Sequence, residues 1–132
     1  DVAWLDNGPP WVAVLLHDAE AVLAVVPDPA ALGDLMVGVI GLHDEAGRSR
    51  TGAHAEVRAF AGGIGVVEDP VTGSLNAGVG QWLTAAGVLP DRYVVSQGTA
   101  LRRAGRVHVE RVGDEVWVGG DAVTGISGTV LL

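Results

Sequence analysis

Short apolar runs rich in β-branched residues recur along the chain and alternate with clusters of glycine, proline and aspartate. Apolar runs of roughly four to eight residues bounded by such turn residues predict β-strands. The predicted strands are residues 11–16, 21–26, 35–42, 55–60, 93–96, 107–110, 116–118 and 123–131. Residues 107–118 predict a β-hairpin, because Gly113 and Asp114 between the two runs are typical turn residues.

One longer segment has the helical period. Its apolar side chains are spaced i, i+4, i+7, i+8 and i+11, which places them on one face of a helix; they are Leu75, Val79, Trp82, Leu83 and Ala86. We therefore predict a helix over residues 74–86 that Gly87 ends. A second, short helix is predicted over residues 28–35, with Asp28 as its cap and Pro29 at its first position.

Gly78 and Gly80 lie inside the predicted long helix. Each costs roughly 1 kcal/mol relative to alanine there, so a packing reason is needed to explain them. Without side chains at these positions, neighbouring strands can approach the helix closely. We therefore predict an α+β fold in which a curved, mostly antiparallel sheet or barrel wraps around one central helix.

Length and charge narrow the class of protein. A chain of 132 residues with 48% apolar content, and with no repeat or linker, predicts a single domain over residues 1–132. Sixteen acidic against eight basic residues give a net charge of -8. This charge repels phosphate groups, so we expect neither nucleic acid nor a membrane as a partner. No apolar stretch approaches the roughly 18 residues of a membrane-spanning helix.

Cysteine is absent from the sequence. This absence excludes disulfides, thiolate nucleophiles and cysteine-bound metal, and it fits a reducing compartment, so we expect the cytoplasm. The histidines at His17, His43, His54 and His108 lack the spacing of a metal site, and we expect no metal. Because the chain opens with Asp1 rather than with Met, we expect a processed chain or a part of a longer protein.

The candidate chemistry lies where the long helix begins. Residues 68–74 have the sequence Glu-Asp-Pro-Val-Thr-Gly-Ser and lead into the helix. The first amides of a helix have no internal acceptor and carry a partial positive charge, so they can bind a carboxylate. Gly73 lets a ligand come close, and Ser74 can cap the helix or turn to the ligand. Asp69 can accept a hydrogen bond from a substrate or move a proton.

A plainer interpretation stays open on these residues alone. Thr72 or Ser74 is then an ordinary N-cap, and Asp69 is a loop carboxylate that complements the helix dipole. A small basic cluster is either a solvated turn or a neighbour of an acidic ligand; its members are Arg102, Arg103 and Arg106.

Residues 68–74 resemble the signature of the PhzF-like proteins, the phenazine-biosynthesis isomerase family. The resemblance extends to residues 58–60 with the glycine-rich turn after them, to residues 97–107, which begin with Gln-Gly, and to residues 116–123. The turn at residues 7–11, Asn-Gly-Pro-Pro-Trp, is also similar. The likeness runs nearly end to end and corresponds to the carboxy-terminal half of such a protein.

The resemblance implies a fold like that of diaminopimelate epimerase, in which two halves each wrap a curved sheet around a helix and enclose the active site between them. It implies that Gly73 and Ser74 hold a substrate carboxylate, and that Asp69 orients the substrate or assists proton transfer. The family's general acid/base glutamate belongs to the amino-terminal half, and no glutamate of this chain lies in a matching motif. Such proton shuttling requires no cofactor.

We therefore expect an isomerase domain that acts on a small acidic metabolite together with an amino-terminal half. Members of this fold that use two thiols are excluded, because the chain has no cysteine. Two alternatives stay open. One is a non-catalytic small-molecule binding domain, and the other is a half-domain that pairs with a second copy as a homodimer.

Overall fold

The computed structural model describes residues 1–131, and Leu132 lies outside the described residues. The strands within them are β1 Val2–Asp6, β2 Pro10–Leu15, β3 Val37–Leu42, β4 Ala55–Ala61, β5 Val66–Asp69, β6 Arg92–Gln97, β7 Gly105–Val112 and β8 Glu115–Gly119. The α-helices are α1 Ala19–Ala24, α2 Pro29–Leu32, α3 Glu45–Thr51 and α4 Gly73–Ala85. Short 3₁₀ turns lie at Gly62–Ile64 and Thr99–Leu101.

The strands form one sheet in the order β1-β2-β3-β4-β6-β7-β8, with β5 also paired to β4. The pairs β2–β3 and β4–β6 are parallel, and the other pairs are antiparallel. Helix α4 packs against β1 and β2 at one end of the sheet and against β7 and β8 at the other. The sheet therefore curls into a half-barrel around α4, which confirms the predicted fold class.

The two glycines of α4 explain how both ends of the sheet reach the same helix. A Cβ atom at Gly78 would lie 2.9 Å from Cβ of Leu5 on β1. A Cβ atom at Gly80 would lie 2.8 Å from Cγ1 of Val116 on β8. Carbon atoms in favourable contact are about 3.5 to 4.0 Å apart, so neither position has room for a side chain. The predicted packing reason for these glycines is confirmed.

The inner face of the sheet and the apolar side of α4 form the main core. Leu75, Val79 and Leu83 of α4 are buried there, as their spacing predicts. They pack with residues of the surrounding strands, among them Leu5, Trp11, Ile40, Val57, Tyr93, Val95 and Val109. A smaller cluster on the outer face joins Val22 of α1 to Phe60 of β4. Strand β4 is therefore buried on both faces along its whole length.

Two predicted strands are wrong. Residues 21–26 lie largely in helix α1, where Oδ1 of Asp18 accepts a hydrogen bond from the amide of Ala21 at 2.7 Å. A short apolar run does not by itself distinguish a strand from a short helix, and the capping aspartate decides here. Residues 123–131 form no strand, because no strand of the described residues pairs with them. Their large apolar side chains are more than four-fifths exposed; they are Val123, Ile126, Val130 and Leu131.

The sequence patterns do not indicate β1, β5 or α3. Helix α3 occupies residues 45–51. Oδ1 of Asp44 accepts a hydrogen bond from the amide of Gly47 at 2.6 Å, so an aspartate cap again begins the helix. Strand β5 has only four residues, and its first two are exposed, which gives it no apolar periodicity.

The remaining elements agree with their predictions to within a few residues. The helix expected over residues 28–35 is the shorter α2, and Asp28 caps it by accepting from the amide of Ala30 at 3.0 Å. The helix expected over residues 74–86 is α4. The hairpin expected over residues 107–118 is the antiparallel pair β7–β8. No helix in residues 1–131 combines the length and the apolar content needed to cross a membrane.

Candidate functional site

Strands β5 and β6 meet end to end beside β4. Strand β6 pairs with residues 55–57 of β4, and β5 pairs with residues 59 and 61 of the same strand. Asp69, the last residue of β5, and Gln97, the last residue of β6, thus come together where α4 begins. The predicted functional segment, residues 68–74, lies at this junction.

Gln97 joins the elements at the junction through its buried carboxamide. Its Nε2 donates to the backbone carbonyl of Asp69 at 3.0 Å and to Oγ1 of Thr72 at 2.9 Å. Its Oε1 accepts from the amide of Thr72 at 3.1 Å and from Nδ2 of Asn76 at 2.8 Å. Both donor hydrogens and both acceptor sites of the carboxamide are used. In the sequence, Gln97 stands out only through the family resemblance, which does not indicate this role.

Thr72 links Gln97 to Asp69 through hydrogen bonds of its hydroxyl group. The Thr72 hydroxyl accepts a hydrogen bond from Gln97 and has a single hydrogen to donate. It donates that hydrogen to Oδ2 of Asp69, at 2.7 Å. The half-buried Asp69 carboxylate is thereby held at the entrance to α4, with Oδ1 left for other partners.

Ser74 is hydrogen-bonded to strand β2. Nε1 of Trp11, on β2, donates to Oγ of Ser74 at 3.1 Å. Trp11 is only 2% exposed, so its indole N–H needs a partner inside the protein. The predicted substrate-binding serine therefore lies at the start of α4, with its oxygen oriented by a core tryptophan.

These bonds leave the start of α4 without a side-chain cap. Thr72 holds the N-cap position but makes no capping hydrogen bond, and Trp11 engages Ser74. Helices α1, α2 and α3 differ, because an aspartate caps each of them. Within residues 1–131 the amides of Gly73, Ser74 and Leu75 donate to no acceptor. Thr72 is therefore the N-cap residue, as the plainer interpretation allows, but within residues 1–131 neither its hydroxyl nor that of Ser74 makes a capping hydrogen bond.

Space is open above the first residue of the helix. A Cβ atom at Gly73 would meet no atom within 4 Å, and Gly73 is exposed. Its backbone does not adopt the left-handed conformation. The predicted close approach of a ligand to this position is therefore sterically possible.

Glu68, the residue before Asp69, is paired with Arg58 in a buried ion pair. Nη1 of Arg58 also donates to the carbonyls of Val22 at 3.2 Å and Val25 at 2.6 Å, which lie at the end of α1. Two charged residues in neighbouring apolar strands are a sequence signal for such a pair. Sequence reasoning did not use it.

A second buried polar cluster lies at the start of β4 and includes Ser96, the residue before Gln97. The Ser96 hydroxyl donates to Oε2 of Glu56, and Nε2 of His43 lies 3.1 Å from Oγ of Ser96. Burial lowers the pKa of His43, although the charge of Glu56 opposes this effect. The cluster joins β3, β4 and β6 and contains none of the predicted site residues.

The other candidate residues are dispersed. The guanidinium of Arg106 donates to the carbonyl of Thr51 at 2.9 and 3.1 Å and so fastens the end of α3, whereas Arg102 and Arg103 are exposed. Residues 1–131 contain no group of three or more histidine, aspartate or glutamate side chains placed to hold a metal ion. A surface cavity of about 700 Å³ lies over β6–β8, with Trp117 in its wall, and includes no residue of the junction.

A half-barrel around one helix, with unbonded amides at the start of that helix within residues 1–131, defines an α+β domain. The chain belongs to the phenazine biosynthesis-like (PhzC-PhzF) protein family, whose model matches residues 1–128. It is similar to Antisense-enhancing sequence 1 of Schizosaccharomyces pombe, with 34% identity over 94% of this chain and 44% of that protein. It is also similar to Uncharacterized isomerase YddE of Escherichia coli strain K12, with 46% identity over 39% of this chain and 19% of that protein.

Solved structures of the same family share the fold. A phenazine biosynthesis PhzC/PhzF protein from Clostridium difficile matches with a TM-score of 0.65 and 22% identity over 92% of this chain and 45% of that one. A PhzF family protein from Enterococcus faecalis matches with a TM-score of 0.66 and 25% identity over 88% of this chain and 41% of that one. The chain thus spans less than half the length of these relatives, and the family resemblance drawn from the sequence is confirmed.

Proposed function

We propose that this chain forms the carboxylate-binding part of a PhzF-like, cofactor-independent isomerase. The observation that carries the proposal is the uncapped start of α4, where the amides of Gly73, Ser74 and Leu75 are without acceptors near the Asp69 carboxylate. A helix start of this kind attracts a carboxylate without any arginine or lysine. Family membership and a relative named as an isomerase support the same function.

In this proposal Gly73 and Ser74 hold the carboxylate of a small acidic metabolite. Asp69 orients the substrate or assists proton transfer through Oδ1, since Thr72 already binds Oδ2. The reaction takes a proton from one carbon atom and returns it elsewhere on the same molecule, so nothing is oxidised or lost and no cofactor enters. Glu68 has no part in the chemistry, because Arg58 binds both of its carboxylate oxygens.

The general acid/base glutamate is proposed to come from an amino-terminal half. Asp69 is the carboxylate that this chain brings to the start of α4, and a proton shuttle of this family needs a further glutamate. The S. pombe relative is more than twice as long as the aligned part of this chain. The exposed apolar side chains of residues 123–131 are suited to contact with another folded unit, either that half or a second copy in a homodimer.

A non-catalytic binding domain is the second candidate. It is favoured by the groups that residues 1–131 bring to the junction. The amides of Gly73, Ser74 and Leu75 can donate to an anion, but Asp69 is the one carboxylate of the 68–74 segment that is not in the ion pair with Arg58. Binding is therefore tested before turnover.

Benzoate provides a small carboxylate probe for the binding step. Titrated into ¹⁵N-labelled protein, it is expected to shift the amide resonances of Gly73, Ser74 and Leu75. Benzyl alcohol has the same ring without the charge and is expected to leave them unchanged. Shifts confined to other parts of the protein would place the anion site elsewhere and contradict the proposal.

Deuterium exchange tests the isomerase step. This chain, combined with an amino-terminal half from the same family, is incubated with small unsaturated carboxylates in D₂O, and C–H signals are followed by NMR. We expect exchange of a carbon-bound proton, and exchange slower by about two orders of magnitude in Asp69→Asn. Binding of benzoate without exchange of any substrate would leave the binding domain as the function.

A further inference from the structure

A core tryptophan determines how the Ser74 hydroxyl can be used. We propose that Trp11 is a positioning residue for the anion site: its indole N–H holds Oγ of Ser74 as an acceptor and so directs the serine hydrogen to the bound carboxylate. The inference rests on the proposed function of the α4 start and adds to it a residue that lies outside the 68–74 segment.

The direction of the hydrogen bond follows from chemistry. The indole nitrogen of Trp11 can donate but cannot accept, so the 3.1 Å contact with Ser74 has one possible direction. The serine hydroxyl keeps one hydrogen and one lone pair. Within residues 1–131 that hydrogen meets no acceptor, although a serine near a helix start commonly caps the helix or bonds to a neighbouring backbone carbonyl.

The buried position of Trp11 keeps its hydrogen bond to Ser74 in a fixed geometry. Its side chain is 2% exposed in the main core, and its strand pairs with β1 through Leu5 opposite Trp11. Ser74 is half-buried at the edge of that core. A donor that already bonds to the serine oxygen polarises the hydroxyl and strengthens the bond that its hydrogen makes. Ser74 therefore adds a side-chain donor beside the amides of the first turn.

A purely structural role for the contact gives different expectations. If Ser74 served only to satisfy the buried indole, Trp11→Phe would alter stability and leave anion affinity unchanged. If Trp11 directs the serine hydrogen, Trp11→Phe weakens anion binding although Ser74 is still present. In a Ser74→Ala background the tryptophan substitution then has no further effect on affinity, because the group that it directs is gone.

Benzoate titrations of ¹⁵N-labelled protein test the inference. We expect Trp11→Phe and Ser74→Ala each to weaken benzoate binding about three- to tenfold, as loss of one hydrogen bond predicts, and the double variant to be no weaker than Ser74→Ala. Unchanged affinity in Trp11→Phe, or losses that multiply in the double variant, would overturn the inference.

A second measurement needs no substitution of Trp11, in case that variant does not fold. The Trp11 indole proton resonance is expected to move on benzoate binding in the wild type, because its acceptor becomes a donor to the ligand, and to stay still in Ser74→Ala. An indole resonance that ignores benzoate in the wild type overturns the inference. If the amide resonances of Gly73–Leu75 also do not shift with benzoate, the proposed function is wrong as well. If they shift, only the proposed role of Trp11 is wrong.

Discussion

Arg58 and Glu68 form a two-point ion pair, with Nε 2.9 Å from Oε1 and Nη2 2.8 Å from Oε2. Both side chains are 7% exposed. Arg58 belongs to β4 and Glu68 to β5, and the guanidinium also binds the end of α1, so one side chain connects three elements. The pair fixes the strand that ends at Asp69.

Loss of this pair is expected to destabilise the protein strongly. Glu68→Ala leaves the Arg58 charge buried without its partner, and we expect the free energy of unfolding to fall by about 3–5 kcal/mol. Urea unfolding measures the change. Glu110→Ala is the matched control, because its partner Arg92 is 78% exposed, and it is expected to cost less than about 1 kcal/mol. Similar losses in the two variants would contradict the buried character of the Arg58–Glu68 pair.

Gln97→Glu tests the hydrogen-bond chain that ends on Asp69. An ionised glutamate keeps the shape and the acceptors of Gln97 but loses both donors. The Thr72 hydroxyl is then expected to turn from Asp69 to the new carboxylate, and the protein is expected to lose roughly 1–3 kcal/mol of stability.

The chemical shift of the Asp69 side-chain carboxyl carbon, followed by NMR, reports the loss of its bond to Thr72. Thr72→Ser retains the hydroxyl and is expected to behave as the wild type. A carboxyl resonance of Asp69 that is the same in Gln97→Glu and in the wild type would show that Gln97 does not act through Thr72.

Elements that show a clear pattern within a short stretch of sequence could be predicted. The stripe on residues 75–86 and the glycines within it predicted α4 and the sheet around it. Strand β1 gave no signal, because only Leu5 of its five residues is buried. The role of Gln97 depends on two strands meeting end to end, and the Trp11–Ser74 contact spans 63 positions of sequence. Neither relationship is encoded in any short window of residues.

The glycines of α4 are expected to resist substitution despite the helix propensity of alanine. Gly80→Ala gains about 1 kcal/mol of propensity but drives a methyl group into Val116 and Val109, so we expect net destabilisation of about 1–3 kcal/mol in urea unfolding. Ala77→Gly is the control on the same helix, and it is expected to lose only the propensity, about 1 kcal/mol. A stabilised Gly80→Ala variant would mean that the sheet does not approach α4 as closely as described.

His43 is expected to make stability depend on pH. Burial lowers its pKa below the ordinary value of 6.5, so the unfolded chain binds a proton at a pH where the folded protein does not. The free energy of unfolding is therefore expected to fall as pH drops below about 6.5 and to level off above it. His43→Gln is expected to reduce this slope just below pH 6.5. Urea unfolding of the wild type and of His43→Gln across the pH range measures the two slopes.

Substitutions at Gly73 are expected to affect ligand binding more than stability, because the space above this residue is open. Gly73→Ala adds a methyl group that meets no protein atom within 4 Å, and the backbone there suits any residue, so we expect stability equal to the wild type or higher by up to about 1 kcal/mol. Gly73→Val extends further into the same space and is expected to weaken benzoate binding by about tenfold or more, with less than about 1 kcal/mol change in the free energy of unfolding. NMR titration and urea unfolding give the two quantities. Because a Cβ atom at Gly73 would have no protein atom within 4 Å, a loss of affinity without a loss of stability means that the ligand occupies that space. Normal affinity in Gly73→Val means that the carboxylate binds elsewhere.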